Sequence, residues 1–219
     1  MTRGDVAQAV GRLSRQLCSW TQYTDHSLNR LMCYLDTHDS HDLQVRVEEN
    51  MSWYLRVYVD SDHAGDPLSA KSTTGIATFV TSTDGDTHGA ISWQSKRQTA
   101  TPWSRGEAEV VALSEAARPA LIHQLITEGI RNQPTQVEFC DDSSACIGAV
   151  NKGFSSMMYI EKTQKVRIGA LHDIANLDNV SLIKWPTDSN VADPFTKPLD
   201  KDSFEKHRGL LGIGLNSTT

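Results

Sequence analysis

Trp53-Tyr54-Leu55-Arg56-Val57-Tyr58-Val59-Asp60-Ser61-Asp62 is the stretch on which the fold turns. Aromatic and β-branched residues dominate it, so it reads as a strand that runs directly into an aspartate. Residues 75–82 and 90–94 read as two further strands, and the Asp84-Gly85 turn signal between them makes a hairpin. Three antiparallel strands in succession are therefore expected. A long helix follows: Ser104-Arg105-Gly106-Glu107 has the form of a capping box, and residues 108–117 are rich in helix formers. Pro119 is expected to interrupt this helix, with helical character resuming over 120–128 and ending at Gly129. Residues 136–140 read as a fourth strand, 143–151 as a short helix, 162–175 as another helix, 181–185 as a fifth strand and 202–211 as a closing helix. The order βββαβαβα predicts an α/β fold. Its five-stranded mixed sheet, three antiparallel strands then two parallel, would be flanked by helices.

Upstream of residue 53 the pattern is helical. Val6, Val10, Leu13 and Leu17 recur at helical spacing, as do Leu28, Leu31, Met32 and Leu35, with Thr24-Asp25-His26-Ser27 placed to cap the second helix. An N-terminal helical hairpin is expected, joined by the polar residues 36–49 with a short strand over 43–47.

Composition sets the class. Of 219 residues, 38% are hydrophobic and 22% charged, which is ordinary for a soluble protein. Apolar runs such as 110–113 are too short to cross a bilayer. Met1-Thr2-Arg3-Gly4-Asp5 lacks the apolar stretch of a signal peptide, so a cytoplasmic or nuclear location is expected, not a secreted one. Cys18, Cys33, Cys140 and Cys146 show no zinc spacing and read as reduced, mostly buried thiols. The net charge of −6 argues against a nucleic-acid partner, because phosphate binding releases cations from a basic surface. Two features answer it: a metal-dependent site needs carboxylates that count as negative until cations arrive, and Lys71, Lys96, Arg97 and Arg105 lie in polar segments near the candidate site.

Four acidic residues sit where chain ends would meet the middle of such a sheet. Asp60 ends the first strand, Glu109 opens the long helix, Asp141 ends the fourth strand and Asp193 follows a turn. Sites in open α/β sheets gather beyond the carboxyl ends of the strands. Taken singly, each is also an ordinary turn former or cap. Together they would repel without a hard, oxygen-seeking cation such as magnesium.

Six collinear blocks add a resemblance. They are Val59-Asp60-Ser61-Asp62-His63-Ala64-Gly65-Asp66, Lys71-Ser72-Thr73-Thr74-Gly75 and Ile91-Ser92-Trp93-Gln94-Ser95-Lys96-Arg97-Gln98. Next come Glu107-Ala108-Glu109-Val110-Val111-Ala112-Leu113-Ser114-Glu115-Ala116, then Phe139-Cys140-Asp141-Asp142-Ser143-Ser144-Ala145, and last Ala192-Asp193-Pro194-Phe195-Thr196-Lys197-Pro198-Leu199. Over residues 57–212 the chain resembles the RNase H domain of copia-type (Pseudoviridae-like) LTR retrotransposon Pol polyproteins. The run Thr2-Arg3-Gly4-Asp5-Val6-Ala7-Gln8-Ala9-Val10-Gly11-Arg12-Leu13-Ser14-Arg15 is similar to the end of their reverse transcriptase. Residues 1–48 would then be a remnant of the reverse transcriptase connection, 49–212 the RNase H domain and 213–219 a flexible tail.

The resemblance implies an RNase H-like fold and an endonuclease that hydrolyses the RNA strand of RNA–DNA hybrids. It implies two Mg2+ ions, replaceable by Mn2+, held by Asp60, Glu109, Asp141 and Asp193. Glu107 competes with Glu109, but two residues along a helix turn a side chain about 200° away, so only one can face the metals. Val110-Val111-Ala112 favours Glu109. Ser61, Ser92, Gln94, Gln98 and Ser143 would meet the duplex through neutral hydrogen bonds, and Lys71, Lys96 and Arg105 would hold phosphates. The reverse transcriptase domain of the same polyprotein is the implied partner. Asp142 stands where the family usually has asparagine, and His63 replaces an aromatic residue. The family histidine expected near Lys165 is absent, leaving His172 as a possible helper. A domesticated module that binds nucleic acid or protein without cutting is the alternative, and an integrase-like strand transferase a third reading.

Overall fold

The computed structural model describes residues 3–48, 52–66, 69–85, 87–153 and 156–214. The expected boundary after residue 48, and the part of the expected tail from 215 onward, lie outside them. Strands β1 (Trp53–Ser61), β2 (Thr73–Ser82), β3 (His88–Arg97), β4 (Val137–Asp141) and β5 (Val180–Lys184) form one sheet in the order β3-β2-β1-β4-β5. β1 pairs antiparallel with β2 and parallel with β4, β2 pairs antiparallel with β3, and β4 pairs parallel with β5.

β1 takes the centre because both its faces are apolar. Leu55, Val57 and Val59 enter a core with Val110, Leu113, Val150 and Leu171, whereas Tyr58 packs on the other face with Phe79, Cys140, Phe195 and Leu211. Each buried aliphatic or aromatic side chain stabilises the fold by roughly 1.5–3 kcal/mol relative to exposure, so no edge position would serve this strand. The first face is covered by α3 (Arg105–Arg131), α4 (Ser144–Lys152) and α6 (Ile168–Ala175). On the other lie α1 (Ala7–Ser14) and α7 (Asp193–Thr196), with α2 (Gln22–Thr37) and α8 (Lys201–Leu210) outside them.

Several expectations change. α3 runs unbroken through Pro119. The hydrogen bond lost at proline is offset because Ala112, Leu113, Ala116, Ala117 and Ala120 all bury on either side of it. The helix ends not at Gly129 but at Asn132, which adopts the left-handed conformation (φ 54°) and donates its N–H to Glu128 O. The helix expected over 162–175 is two helices, α5 (Ile160–Gln164) and α6, parted at Lys165 (φ 61°). That break lets Ile160, Val166 and Ile168 all reach the core. α2 starts one turn earlier than expected, capped by Thr21, with Thr24 completing a reciprocal capping box. Leu43 and Arg46 form only single bridges, to Ile213 and His88, in place of a strand. Ile213, assigned above to the tail, is buried. Of the free thiols, Cys140 and Cys146 are buried but Cys18 and Cys33 are exposed.

The hairpin α1–α2 is docked on the sheet. Asp5 is buried, ion-paired with Arg3 at 2.8 Å, and accepts a hydrogen bond from Tyr34 Oη at 2.6 Å. α7 presses on β2 at Gly75, opposite Asp60 in register. A Cβ there would lie 2.6 Å from Thr196 Cγ2 and 2.7 Å from the Ala192 carbonyl oxygen. Gly75→Ala is therefore expected to destabilise the protein by about 1–3 kcal/mol through overpacking. An unchanged denaturant midpoint for that variant would show that α7 does not seat there.

Candidate metal-binding carboxylate site

β1 delivers Asp60, the first turns of α3 deliver Glu109, and the residue after β4 is Asp142. One oxygen from each lies within 4.8 Å of the others. Asp60 and Glu109 are fully buried, and Asp142 is half-buried. Asp60 Oδ1 and both carboxylate oxygens of Glu109 have no hydrogen-bond partner. A bare buried carboxylate is costly unless it is paired, neutralised or bound to a metal. Burial, reinforced by the charges of Asp60 and Asp141, pushes Glu109 up to about 9. Burial and then Asp193 raise Asp60 to about 6, and burial raises Asp141 to about 7. A cluster of oxygen donors that resists ionising alone fits hard divalent cations.

The other expected ligands flank this triad. Asp141 is buried at the end of β4, where Oδ1 accepts the Ser143 N–H at 2.7 Å while Oδ2 has no partner. Asp193 opens α7 and pairs with Lys197 at 2.9 Å, and its Oδ1 is buried without a partner. Lys197 Nζ also lies 4.0 Å from Asp60, whose Oδ2 accepts the Thr196 hydroxyl. Burial alone would lower the Lys197 ammonium, but Asp60 and Asp193 more than offset it and hold it above its usual value. Glu107 takes no part in the triad: its Oε2 accepts the Trp103 N–H at 2.9 Å at the start of α3.

The candidate substrate contacts fall in different environments. Arg105 has a side chain 64% exposed and 3.8 Å from Glu109. Ser61 is buried beside Glu109. Ser143 caps α4 by accepting the Cys146 N–H at 3.2 Å. Lys71, Ser92 and Gln94 are half-buried, and Lys96 is ion-paired with Glu115 at 2.8 Å. Gln98 lies inside the protein, donating to Thr74 Oγ1 at 3.2 Å and Ala108 O at 2.9 Å, and so ties β3 to α3. His172 meets the Val150 carbonyl at 2.9 Å and the Asn176 amide at 3.3 Å, not a carboxylate. His63 is exposed. Thr196 and Lys197 were not singled out from sequence, although a lysine four residues after Asp193 is the helical spacing for an ion pair.

This strand order, with carboxylates at the ends of β1 and β4, defines a ribonuclease H-like fold. No family model matches the chain. The retrovirus-related Pol polyprotein from transposon RE1 of Arabidopsis thaliana is 30% identical over 97% of this chain, and that from transposon TNT 1-94 of Nicotiana tabacum is 30% identical over 98%. Over nearly its whole length the chain is thus homologous to retrovirus-related Pol polyproteins of plant copia-type transposons. It spans only 14% and 15% of the length of these two relatives. Among solved structures, LC11-RNase H1 isolated from compost superposes with a TM-score of 0.43 at 19% identity, over 70% of this chain and 96% of its own. Among the described residues no helix is long and apolar enough to cross a membrane.

Proposed function

We propose that the chain is the ribonuclease H part of a retrotransposon polyprotein and hydrolyses the RNA strand of RNA–DNA hybrids. The convergence of unpartnered, buried carboxylate oxygens on Asp60, Glu109 and their neighbours carries this reading. Asp60, Glu109, Asp141 and Asp193 would hold two Mg2+ ions, or Mn2+ in their place, with Asp142 as a fifth carboxylate. Bound there, such ions supply an activated water and charge stabilisation at the leaving oxygen of a phosphodiester. The chain's own residues do the positioning. Thr196 and Lys197 fix the orientation of Asp60, Ser143 fixes that of Asp141, and Arg105 stands at the rim of the triad where a phosphate would enter. No side chain needs to act as a nucleophile. Residues 1–48 would continue a reverse transcriptase domain, the partner within the polyprotein, in the cytoplasm or nucleus.

Gel cleavage of a labelled RNA–DNA hybrid tests this. The expected result is cutting of RNA only within the hybrid, in Mg2+ or Mn2+, abolished by chelation and by Asp141→Asn. A folded protein that cuts in neither metal would overturn the reading and leave a module that binds without cutting. Asp142→Asn is expected to raise the Mg2+ concentration for half-maximal cleavage by about tenfold, the scale for altering groups around a metal. Calorimetric Mg2+ titration should show the same weakening, and equal affinity would remove Asp142 from the site.

A further inference from the structure

The acidic balance of the chain, −6 overall, conceals a basic face. Between the helical hairpin and the α7–α8 segment lies a cleft of about 540 Å³, lined by Arg12, Arg30, Lys197, Lys201 and Arg208. A smaller cleft of about 110 Å³ adjoins it, sharing Gln8, Arg12, Gln16 and Pro198 and adding Arg15 and Arg97. The carboxylates along the way are few. Asp5 is closed off by Arg3 and Tyr34, Asp66 pairs with Arg97 at 2.7 Å, and Glu205 is 4.0 Å from Lys201. Asp62, in the smaller cleft, receives the Thr73 N–H. Arg15 faces Asp62 and Asp66 across the smaller cleft, whereas Arg12 and Arg30 line the larger one with no carboxylate within ion-pair distance among the described residues. Tyr23, 64% exposed, stands on the same cleft.

A cluster in which cations outnumber carboxylates, on a protein that is acidic overall, is the footprint of a polyanion. The cleft is also continuous with the carboxylate site. Lys197 lines it while lying 4.0 Å from Asp60, and Thr196, which donates to Asp60, lines the smaller part. We propose that this cleft between the N-terminal hairpin and α7–α8 is a track for the sugar–phosphate backbone of a nucleic acid leaving the carboxylate site, which makes the hairpin a clamp on the substrate. The proposal rests on the ribonuclease reading above. The arginines and lysines neutralise successive phosphates, and Tyr23 offers a ring for stacking against a sugar or an unpaired base.

Fluorescence anisotropy with a labelled RNA–DNA hybrid in EDTA, read over a series of salt concentrations, tests it. Arg30→Glu/Lys201→Glu changes two exposed side chains and so leaves the fold intact, and Arg12→Gln/Arg15→Gln is a second variant reaching the inner cleft. Arg118→Glu, exposed on α3, is the control. Each double variant is expected to bind about tenfold more weakly or worse, with the salt slope reduced by about two, one per lost phosphate contact. In Mg2+, KM for the hybrid should rise with kcat unchanged, and the control should match wild type throughout. Wild-type affinity and slope in both double variants, with cleavage retained, would overturn the track while sparing the ribonuclease reading and would point to a polypeptide in the cleft. A wild-type protein that neither binds nor cuts the hybrid would overturn both.

Discussion

Asp60→Asn is expected to reduce hybrid cleavage by about 10^3-fold or more, equivalent to roughly 4 kcal/mol of transition-state stabilisation, while leaving the metal-free protein more stable than wild type. The two effects come from one atom set. Asp60 is fully buried, shares the triad with Glu109 and Asp142, and is tied to α7 by Thr196 and Lys197. An amide keeps the shape and can still accept from Thr196, but it brings no charge to hold a cation. It also removes a repulsion: the Asp60 charge raises the proton affinity of Glu109, and burial and Asp193 raise that of Asp60 itself. Relieving that penalty stabilises the empty site. A thermal melt in EDTA at pH 8 and a gel assay on the same preparation read both consequences. Activity within tenfold of wild type would remove Asp60 from the chemistry. Activity lost together with stability would show that the variant had damaged the fold.

The second large effect is the dependence of stability on pH and metal. Asp60, Asp141 and Glu109 are raised to about 6, 7 and 9, above their values near 4 in an unfolded chain. The folded protein thus binds protons more tightly than the unfolded one. The stability these groups contribute is fully present below about pH 4 and is lost as pH rises through 6, 7 and 9. Without divalent cations, Tm is expected to fall across pH 5–9. Saturating Mg2+ reverses this, because the cation takes the place of the protons. At several hundred times its Kd it adds about 3–4 kcal/mol, or roughly 6–15 °C for a protein of this size. The gain should be greatest at pH 8–9 and small near pH 5, where protons compete. A Tm that rises with pH in EDTA, or an Mg2+ shift independent of pH, would contradict the assignment of these carboxylates.

The strands were legible because their chemistry is local. Trp53–Ser61 carries its apolar pattern in its own side chains, and an aspartate at its end is visible before any partner is known. Glu109 could be preferred to Glu107 because helical rotation is a local rule, and the structure puts Glu109 in the triad and Glu107 on the Trp103 amide. What escaped depends on contacts from elsewhere. Pro119 reads as a break, but the alanines around it are held against a sheet that local propensity does not contain. Gln98 reads as a polar group for a ligand, yet Ala108 and Thr74 claim its amide. Lys165 gives no sign of a left-handed turn, which exists so that Val166 and Ile168 can both face inward. Asp142 reads as an extra charge beside Asp141 or as a cap for the next helix, and its closeness to Asp60 and Glu109 emerges only once β4 lies parallel to β1.

The hydroxyl of Thr196 reaches Asp60 across 136 positions of chain, and this has a consequence for the protein during its own synthesis. A ribosome delivers β1 long before α7, so the emerging polypeptide holds Asp60 without the groups that orient it. The site closes only after residue 197 clears the exit tunnel and α7 settles over Gly75. Until then the nascent chain holds an incomplete carboxylate set, without Asp193 and without the groups that orient Asp60.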